Sequence, residues 1–298
     1  VAIPWLSSGS RYPARIVCVT EEPTEVLYAI GAGDLVVGVS GFTVRPKEAR
    51  SKPRVSTFLD ANHDEIVKLA PDLVIGFSDL QADLAAELIR RGIGVAIFNQ
   101  RSIAEILQTV RAIAALVGKS AEGEALADAL MRGLDELYAA GAKLPMRPRV
   151  FFEEWPDPLI SGIRWVSELI ELVGGEDVCA HTRSEQGAKG RIVDVADVAR
   201  ARPDVIVASW CGKMAKVETI RGRTELALTP ALVDDQIYEI KSSAILQPGP
   251  AALGDGARAL SRIVHAVAFG ERLPRRRRDA CRSVPDAGDT DDTIEQET

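Results

Sequence analysis

Residues 64–77 read DEIVKLAPDLVIGF, and residues 196–209 read ADVARARPDVIVAS. In each stretch an amphipathic run stops one residue before Pro-Asp, and a hydrophobic run of strand length follows. Proline disfavours helix at the residue before it, so a helix end is expected there. Both stretches read as helix, turn, buried strand. A second pair occurs in the same order. TEVLYAIGAGD (24–34) matches SELIELVGGED (167–177) in shape, each a helix closed by glycine. Any two β-α-β units share some pattern, but two matches in one order favour two similar lobes.

Working outward, RIVCV (15–19) reads as a strand, TEEP (20–23) as a loop, and 24–30 as a helix. Strands follow near 36–39, 73–77 and 94–98, with helices near 64–70 and 81–90. The second block has a strand at 149–152 (RVFF), a loop EEWPDPLISGIRW, a helix at 167–173, and strands at 205–208 and near 237–240. Strands alternating with helices imply an α/β fold with parallel sheets. Residues 102–141 are rich in Ala, Leu and Glu, with apolar residues three and four apart. They predict one long helix, or two joined near Gly118-Lys119-Ser120. Unbroken, it would run about 60 Å and could span both lobes. A helical hairpin packed on one lobe is the alternative. The expected organisation is an N-terminal extension (1–14), a first α/β lobe (15–101), an interlobe helix (102–141), a second α/β lobe (142–273) and a disordered tail (274–298).

The 298 residues are 46% hydrophobic and 27% charged, ordinary values for a soluble globular chain. No run approaches 18 apolar residues, so no transmembrane helix is expected. The net charge of −7 argues against nucleic acid as the main partner. The four cysteines form no C-x-x-C pair, which removes zinc-finger and thioredoxin-like readings and leaves one unassigned disulfide open. VAIPWLSSGSRYPA (1–14) is not an intact signal peptide, so the compartment stays open and a cytoplasmic location is possible on the sequence. The basic run Arg275–Arg278 lies close to acidic DAGDTDDTIEQET (286–298), which argues against a phosphate-binding patch.

Two lobes joined by few crossings leave a cleft, and ligands of parallel α/β sheets sit beyond the carboxyl ends of strands. The residues to watch are therefore Thr20-Glu21-Glu22, Ser40-Gly41-Phe42, Phe77-Ser78, Glu153-Glu154-Trp155, Ser209-Trp210-Cys211 and Gln247-Pro248-Gly249-Pro250. Aromatics are only 5% of the chain, yet several fall at these tips, as lining for a flat or greasy ligand would require. Trp165, at the end of the loop after 149–152, joins the set. Hydrolase, metalloprotease and P-loop motifs are absent. His63, His181 and His265 make no pair at metal-ligand spacing. Glu153-Glu154 could serve as an acid/base pair, but neighbours on an extended segment point to opposite sides. A carboxylate holding a polar ligand edge or backbone N–H groups fits better than catalysis.

RIVCVTEEPTEVLYAIGAGDLVVGVS (15–40) and PRVSTFLDANHDEIVKLAPDLVIG (53–76), with EWPDPLISG (154–162) and SELIELVGG (167–175), resemble the substrate-binding proteins of ABC importers for vitamin B12 and iron–siderophore complexes, in their cobalamin-binding branch. The resemblance runs from about Arg15 to Ala268. It implies two Rossmann-like lobes with parallel sheets joined by a long rigid helix, a monomer, no catalytic activity and no cofactor. The corrinoid or iron chelate is a captured ligand, and an ABC permease dimer in the cell envelope is the partner. It implies ligand contacts at Phe42, Phe58 and Phe77 in the first lobe and at Trp155, Trp210 and Cys211 in the second, beside Glu22, Glu154, Trp165 and Gln247 from the strand-end reading. Permease docking falls on Asp64 in the first lobe. The matching second-lobe position is Ala196, so Asp194 or Asp197 would substitute. The family's second-lobe aromatic aligns with Gly190, which leaves that side less aromatic. The competing readings are a cytosolic corrinoid or haem carrier or sensor, and an enzyme acting through Glu153 or Glu154.

Overall fold

The computed structural model describes residues 11–56, 63–274 and 282–283. The chain divides into two compact units. The first takes the chain through Gly133 plus the returning segment Gln247–Ala251; the second takes Leu134–Leu246 and the chain from Ala252 onward.

The first unit carries β1 (Ile16–Cys18), α1 (Glu21–Ala29), β2 (Val36–Ser40), β3 (Arg54–Ser56), α2 (His63–Lys68), β4 (Leu73–Phe77), α3 (Ala82–Arg90), β5 (Gly94–Phe98), α4 (Ile103–Leu116) and the start of α5 (Ser120–Gly141). Its five strands lie in the order β3-β2-β1-β4-β5, and every pair is parallel. The order reverses between β1 and β4, the place beside the strand carboxyl ends where open parallel α/β sheets bind their ligands. Val17, Val19, Ile66, Val74 and Leu88 form its core. Each such buried side chain contributes about 1.5–3 kcal/mol. Of TEEP, expected as a loop, Glu21-Glu22-Pro23 instead form the first turn of α1, with Thr20 extended at the N-cap. Pro23 falls in that turn, where its missing N–H has no intrahelical partner to lose.

The second unit carries β6 (Arg149–Pro156), β7 (Leu159–Ser161), α6 (Arg164–Leu172), β8 (Glu176–Asp177), α7 (Val195–Ala201), β9 (Val205–Ala208), α8 (Val217–Arg221), α9 (Pro230–Val233), β10 (Ile237–Glu239), α10 (Ser242–Ile245), α11 (Ala257–Ala268) and β11 (Arg282–Ser283). Its sheet runs β11-β10-β9-β6-β7, with β8 on the early part of β6. All pairs are parallel except β6–β7. The expected loop EEWPDPLISGIRW is thus a hairpin followed by a helix that starts at Arg164. Asp157-Pro158 turns the chain, and Trp155 pairs with Ile160. The expected disordered tail falls mostly outside the described residues, but Arg282–Ser283 pair with Tyr238–Glu239.

The repeated Pro-Asp stretches adopt one local design in both units. Pro71 and Pro203 deny a right-handed helical conformation to the preceding residue. The helices end there with Ala70 and Arg202 at positive φ, +44° and +49°. The aspartate after each proline then receives the strand that opens its unit. Asp72 accepts from the Ala14 and Arg15 N–H groups at 2.8 and 3.0 Å. Asp204 accepts from the Arg149 N–H at 2.8 Å. The arginine at the head of that strand caps the helix carbonyls: Arg15 on Leu69 at 2.6 Å, Arg149 on Ala201 at 3.2 Å.

Residues 102–141 form two helices, not one. Gly118 takes φ +72° after α4, with Gly118 N–H on Ala115 O and Lys119 N–H on Ala114 O. That is a Schellman ending, which satisfies the last carbonyls and stops the helix. Gly123 then lets α5 fold back on α4; a Cβ there would lie 2.3 Å from Ala114 Cβ. Arg111 Nε ties α4 to Glu124 on α5 at 2.6 Å. Among the described residues no helix is long and apolar enough to cross a membrane.

Candidate functional site

In the first unit the chain leaves β1 at Thr20-Glu21-Glu22. Glu22 is 1% exposed, and one oxygen accepts from Thr20 Oγ1 at 2.7 Å while the other has no hydrogen-bond partner. Burial pushes the Glu22 carboxyl up to about 8 and that of Glu21 up to about 7. The returning segment packs here. Gly249 lies so close that a Cβ would meet Glu22 Cβ at 2.6 Å. Gln100 Nε2 donates to Pro248 O at 3.0 Å, and Ala251 N–H to Glu25 Oε2 at 3.0 Å. Gln247 is half-buried at the start of this segment.

Phe42 projects beyond β2 and is 47% exposed, the exposure a stacking contact needs. Phe77 ends β4 but is buried, with the Arg101 guanidinium 4.5 Å from its ring centroid. That ring face is therefore already covered, by a cation–π contact. Phe58 lies outside the described residues. Leu80, which follows β4, is exposed.

The second unit corrects several expectations. Glu153 is fully buried and holds the Arg223 guanidinium with both oxygens, at 2.5 and 3.1 Å, while accepting from Trp210 Nε1 at 3.1 Å. Burial raises its carboxyl's pKa, against the pull of Arg223 and Trp210. Glu154 meets Arg191 in a second two-oxygen fork at 2.6 and 2.8 Å. Neither carboxylate is available as an acid or base, and Glu154 is committed to a protein partner rather than to a ligand. Trp210 packs in the core with Phe151, Ile206 and Leu226. Trp165 is also a core residue, buried with its indole N–H on Ile245 O at 2.8 Å. Both large side chains gain more by filling the interior than by lining a surface.

Three further groups lie near the carboxyl ends of β6 and β9, and Trp155, in β6 itself, packs partly against the core of the unit. Trp155 is half-buried, donates to Asp157 O at 2.9 Å, and has Lys213 Nζ 4.7 Å from its ring centroid. Cys211 and Met214 are exposed. Cys18 and Cys179 are buried free thiols, each pushed up to about 12 by burial. Among the described residues no group of three or more His, Cys, Asp and Glu could hold a metal ion.

Asp64 stands exposed in the first turn of α2, and a 2.7 Å hydrogen bond from Arg91 holds its carboxyl below the usual range. Asp194 caps α7 through the Ala196 N–H at 2.8 Å, and Asp197 pairs with Arg200 one turn on. Both aspartates line a pocket of about 130 Å³ with His181, Ile192, Val193 and Val198. That is smaller than the roughly 300–1,000 Å³ usual for a bound small molecule.

Sequence reasoning missed Arg101, Leu80, Lys213 and Met214. The strand-end rule covered β1, β2 and β4 but was not carried to β5, where it points to Gln100 and Arg101.

The chain belongs to the periplasmic binding protein family, whose model matches residues 16–244. Its members are solute-binding proteins and not enzymes. It is 25% identical over 270 residues to an uncharacterized ABC transporter substrate-binding lipoprotein of Bacillus subtilis, covering 88% of this chain and 83% of that protein. It is 25% identical over 277 residues to the vitamin B12-binding protein of Vibrio parahaemolyticus, covering 91% and 94%. Its fold matches the periplasmic heme-binding protein of Roseiflexus at a TM-score of 0.73 and 23% identity, covering 87% of this chain and 99% of that one.

Proposed function

We propose that this protein captures a metal chelate, a cobalamin-like corrinoid or an iron complex, in the cell envelope and delivers it to an ABC permease. The observation that carries the reading is that each unit by itself offers apolar side chains near strand carboxyl ends: exposed Phe42 and Leu80 in the first, exposed Met214 and half-buried Trp155 in the second. A large, partly apolar ligand buries such groups at about 25 cal/mol per Å² before the costs of association. The names of the relatives support the same ligand class, and the lipoprotein and periplasmic relatives support an envelope location; none supports a cytosolic carrier. Asp64 on one unit and Asp194 or Asp197 on the other are the proposed permease contacts.

The test is titration with cyanocobalamin and, separately, haemin, followed by calorimetry and by the absorption band of each chelate. A micromolar or tighter dissociation constant for either is expected. Phe42→Ala and Trp155→Ala should each weaken it about tenfold, the effect of exposing one aromatic. No binding of either chelate would overturn the reading.

A further inference from the structure

β1 passes the chain to α1 through Thr20, and Glu22 lies buried in the first turn of that helix. Its Oε1 accepts from Thr20 Oγ1 at 2.7 Å, while Oε2 has no hydrogen-bond partner. The segment Gln247–Ala251 meets this side chain with bare backbone, since a Cβ on Gly249 would lie 2.6 Å from Glu22 Cβ. Gln100 and Glu25 hold the segment down. Gln100 Nε2 donates to Pro248 O at 3.0 Å, and Glu25 Oε2 accepts from the Ala251 N–H at 3.0 Å. Gln100 is buried too, and its Oε1 is unpartnered like Glu22 Oε2.

With Oε1 taken by Thr20, the proton of a neutral Glu22 falls on Oε2. Glu22 is then a donor without an acceptor, and Gln100 Oε1 an acceptor without a donor. Each such buried group weighs against the closed arrangement. Loss of the proton weighs far more, because an ionised carboxylate needs water or a counter-charge. The charges that act on Glu22 are those of Glu21 and Glu25, of its own sign and on its own helix. Cys18 on β1 adds a thiol that burial pushes up to about 12. Arg45 Nε sits on Glu25 Oε1 at 3.4 Å. Residues 247–251 carry no ionisable side chain, and Gln100 is neutral. Burial accordingly holds the Glu22 carboxyl up at about 8.

We propose that Gln247–Ala251 is a proton-held latch, seated on α1 while Glu22 carries its proton and lifting to admit water when Glu22 ionises. The closed latch binds the proton, and the open, hydrated one releases it near the ordinary 4.5. Opening is therefore favoured as pH rises, by up to about tenfold per pH unit for the one proton released. The gain levels off near pH 8, where Glu22 ionises in the closed form as well. Gln247 belongs to the segment, so an open latch also withdraws one of the expected ligand contacts. The device goes beyond capture of a solute and needs none to operate.

The test is hydrogen exchange on the ligand-free protein, read by mass spectrometry in the peptide that holds the Gly249 and Ala251 N–H groups. Protection is corrected for the intrinsic pH dependence of exchange. Between about pH 6 and 8 it should fall about tenfold or more in the wild type, and at most about threefold in Glu22→Gln, which keeps only Glu21 to ionise. Urea below the unfolding transition should leave the segment's exchange unchanged, because a local opening exposes little surface. Exchange in β4, the core strand Leu73–Phe77, should instead follow global unfolding and quicken with urea. Level protection in the wild type, an equal fall in Glu22→Gln, or a urea response matching that of β4 overturns the inference. Should Glu22→Gln fail to fold, the wild-type pH and urea profiles decide alone. No chelate enters the experiment, so its failure leaves the capture reading standing, and failure to bind a chelate leaves the latch standing.

Discussion

Glu21 and Glu22 keep their protons in the fold up to about pH 7 and 8, because burial disfavours the charged forms. In the unfolded chain both ionise near pH 4.5, the ordinary value for this side chain. Between those limits the folded state binds more protons than the unfolded one. Stability from these groups is therefore complete below about pH 4.5, falls as pH rises through about 8, and is level beyond. Glu22→Gln cannot ionise, so urea unfolding across pH 5–9 should show a flatter profile for it. At the alkaline end the variant should be more stable by on the order of 1–3 kcal/mol. Glu153 calls for the opposite result. Its loss leaves Arg223 without its buried counter-charge, so Glu153→Gln should destabilise by about 3–5 kcal/mol in chemical denaturation. Ligand affinity measured on the folded fraction should stay unchanged, since Glu153 faces Arg223 and Trp210 rather than a strand-end surface.

At the scale of elements, the two Pro-Asp junctions do the same work in both units. Each aspartate anchors the strand that opens its unit, and each arginine caps the helix before the proline. Asp204→Ala removes the acceptor for the Arg149 N–H and side chain, and should cost about 1–3 kcal/mol in the second unit. Thermal unfolding followed by circular dichroism checks it. The end of α5 makes a tighter demand. A Cβ on Gly141 would lie 2.5 Å from the Val173 carbonyl carbon, and Gly174 beyond it takes φ +92°. Backbone meets backbone there and neither can yield, so Gly141→Ala should destabilise by roughly 1–3 kcal/mol. Gly133→Ala, with open space at its Cβ, is the control for helix propensity and should be neutral or slightly stabilising.

For the whole molecule, function depends on what binds the folded state. A chelate that binds only the native protein adds about 2.7 kcal/mol of stability at one hundred times its dissociation constant. Thermal melts with increasing cyanocobalamin or haemin should rise accordingly, in wild type more than in Phe42→Ala at equal ligand. Docking separates from capture at this scale. Asp64→Ala, and Asp194→Asn combined with Asp197→Asn, should leave chelate affinity unchanged. They should reduce stimulation of permease ATP hydrolysis in reconstituted vesicles several-fold. Unaltered stimulation in both would exclude these carboxylates as contacts.

The sequence by itself determined the α/β class, the parallel strands and the doubled Pro-Asp pattern. Those depend on periodicity and on proline's covalent geometry, which act within about ten residues. It also read Glu153 and Glu154 as pointing to opposite sides of an extended segment, since alternation is local, and their separate arginine partners agree. Only the tertiary structure decided which strand-end side chains face outward. Trp155 and Trp210 look equivalent in sequence, both aromatic and both just past a strand. Trp210 is buried with its indole N–H on Glu153, 57 residues away, whereas Trp155 is half-buried against the edge of the same core. The hairpin at Asp157-Pro158 moved Trp155 from a loop onto a strand. The break at Gly118 was legible as one of two options, and packing of Gly123 on Ala114 selected it. The packing of Arg101 over Phe77 and its contact with Asp79 join neighbouring strand ends more than twenty residues apart in the chain, which no local pattern reveals. Local pattern specifies elements; burial, charge pairing and close approach between distant segments specify which side chains remain free to meet a ligand.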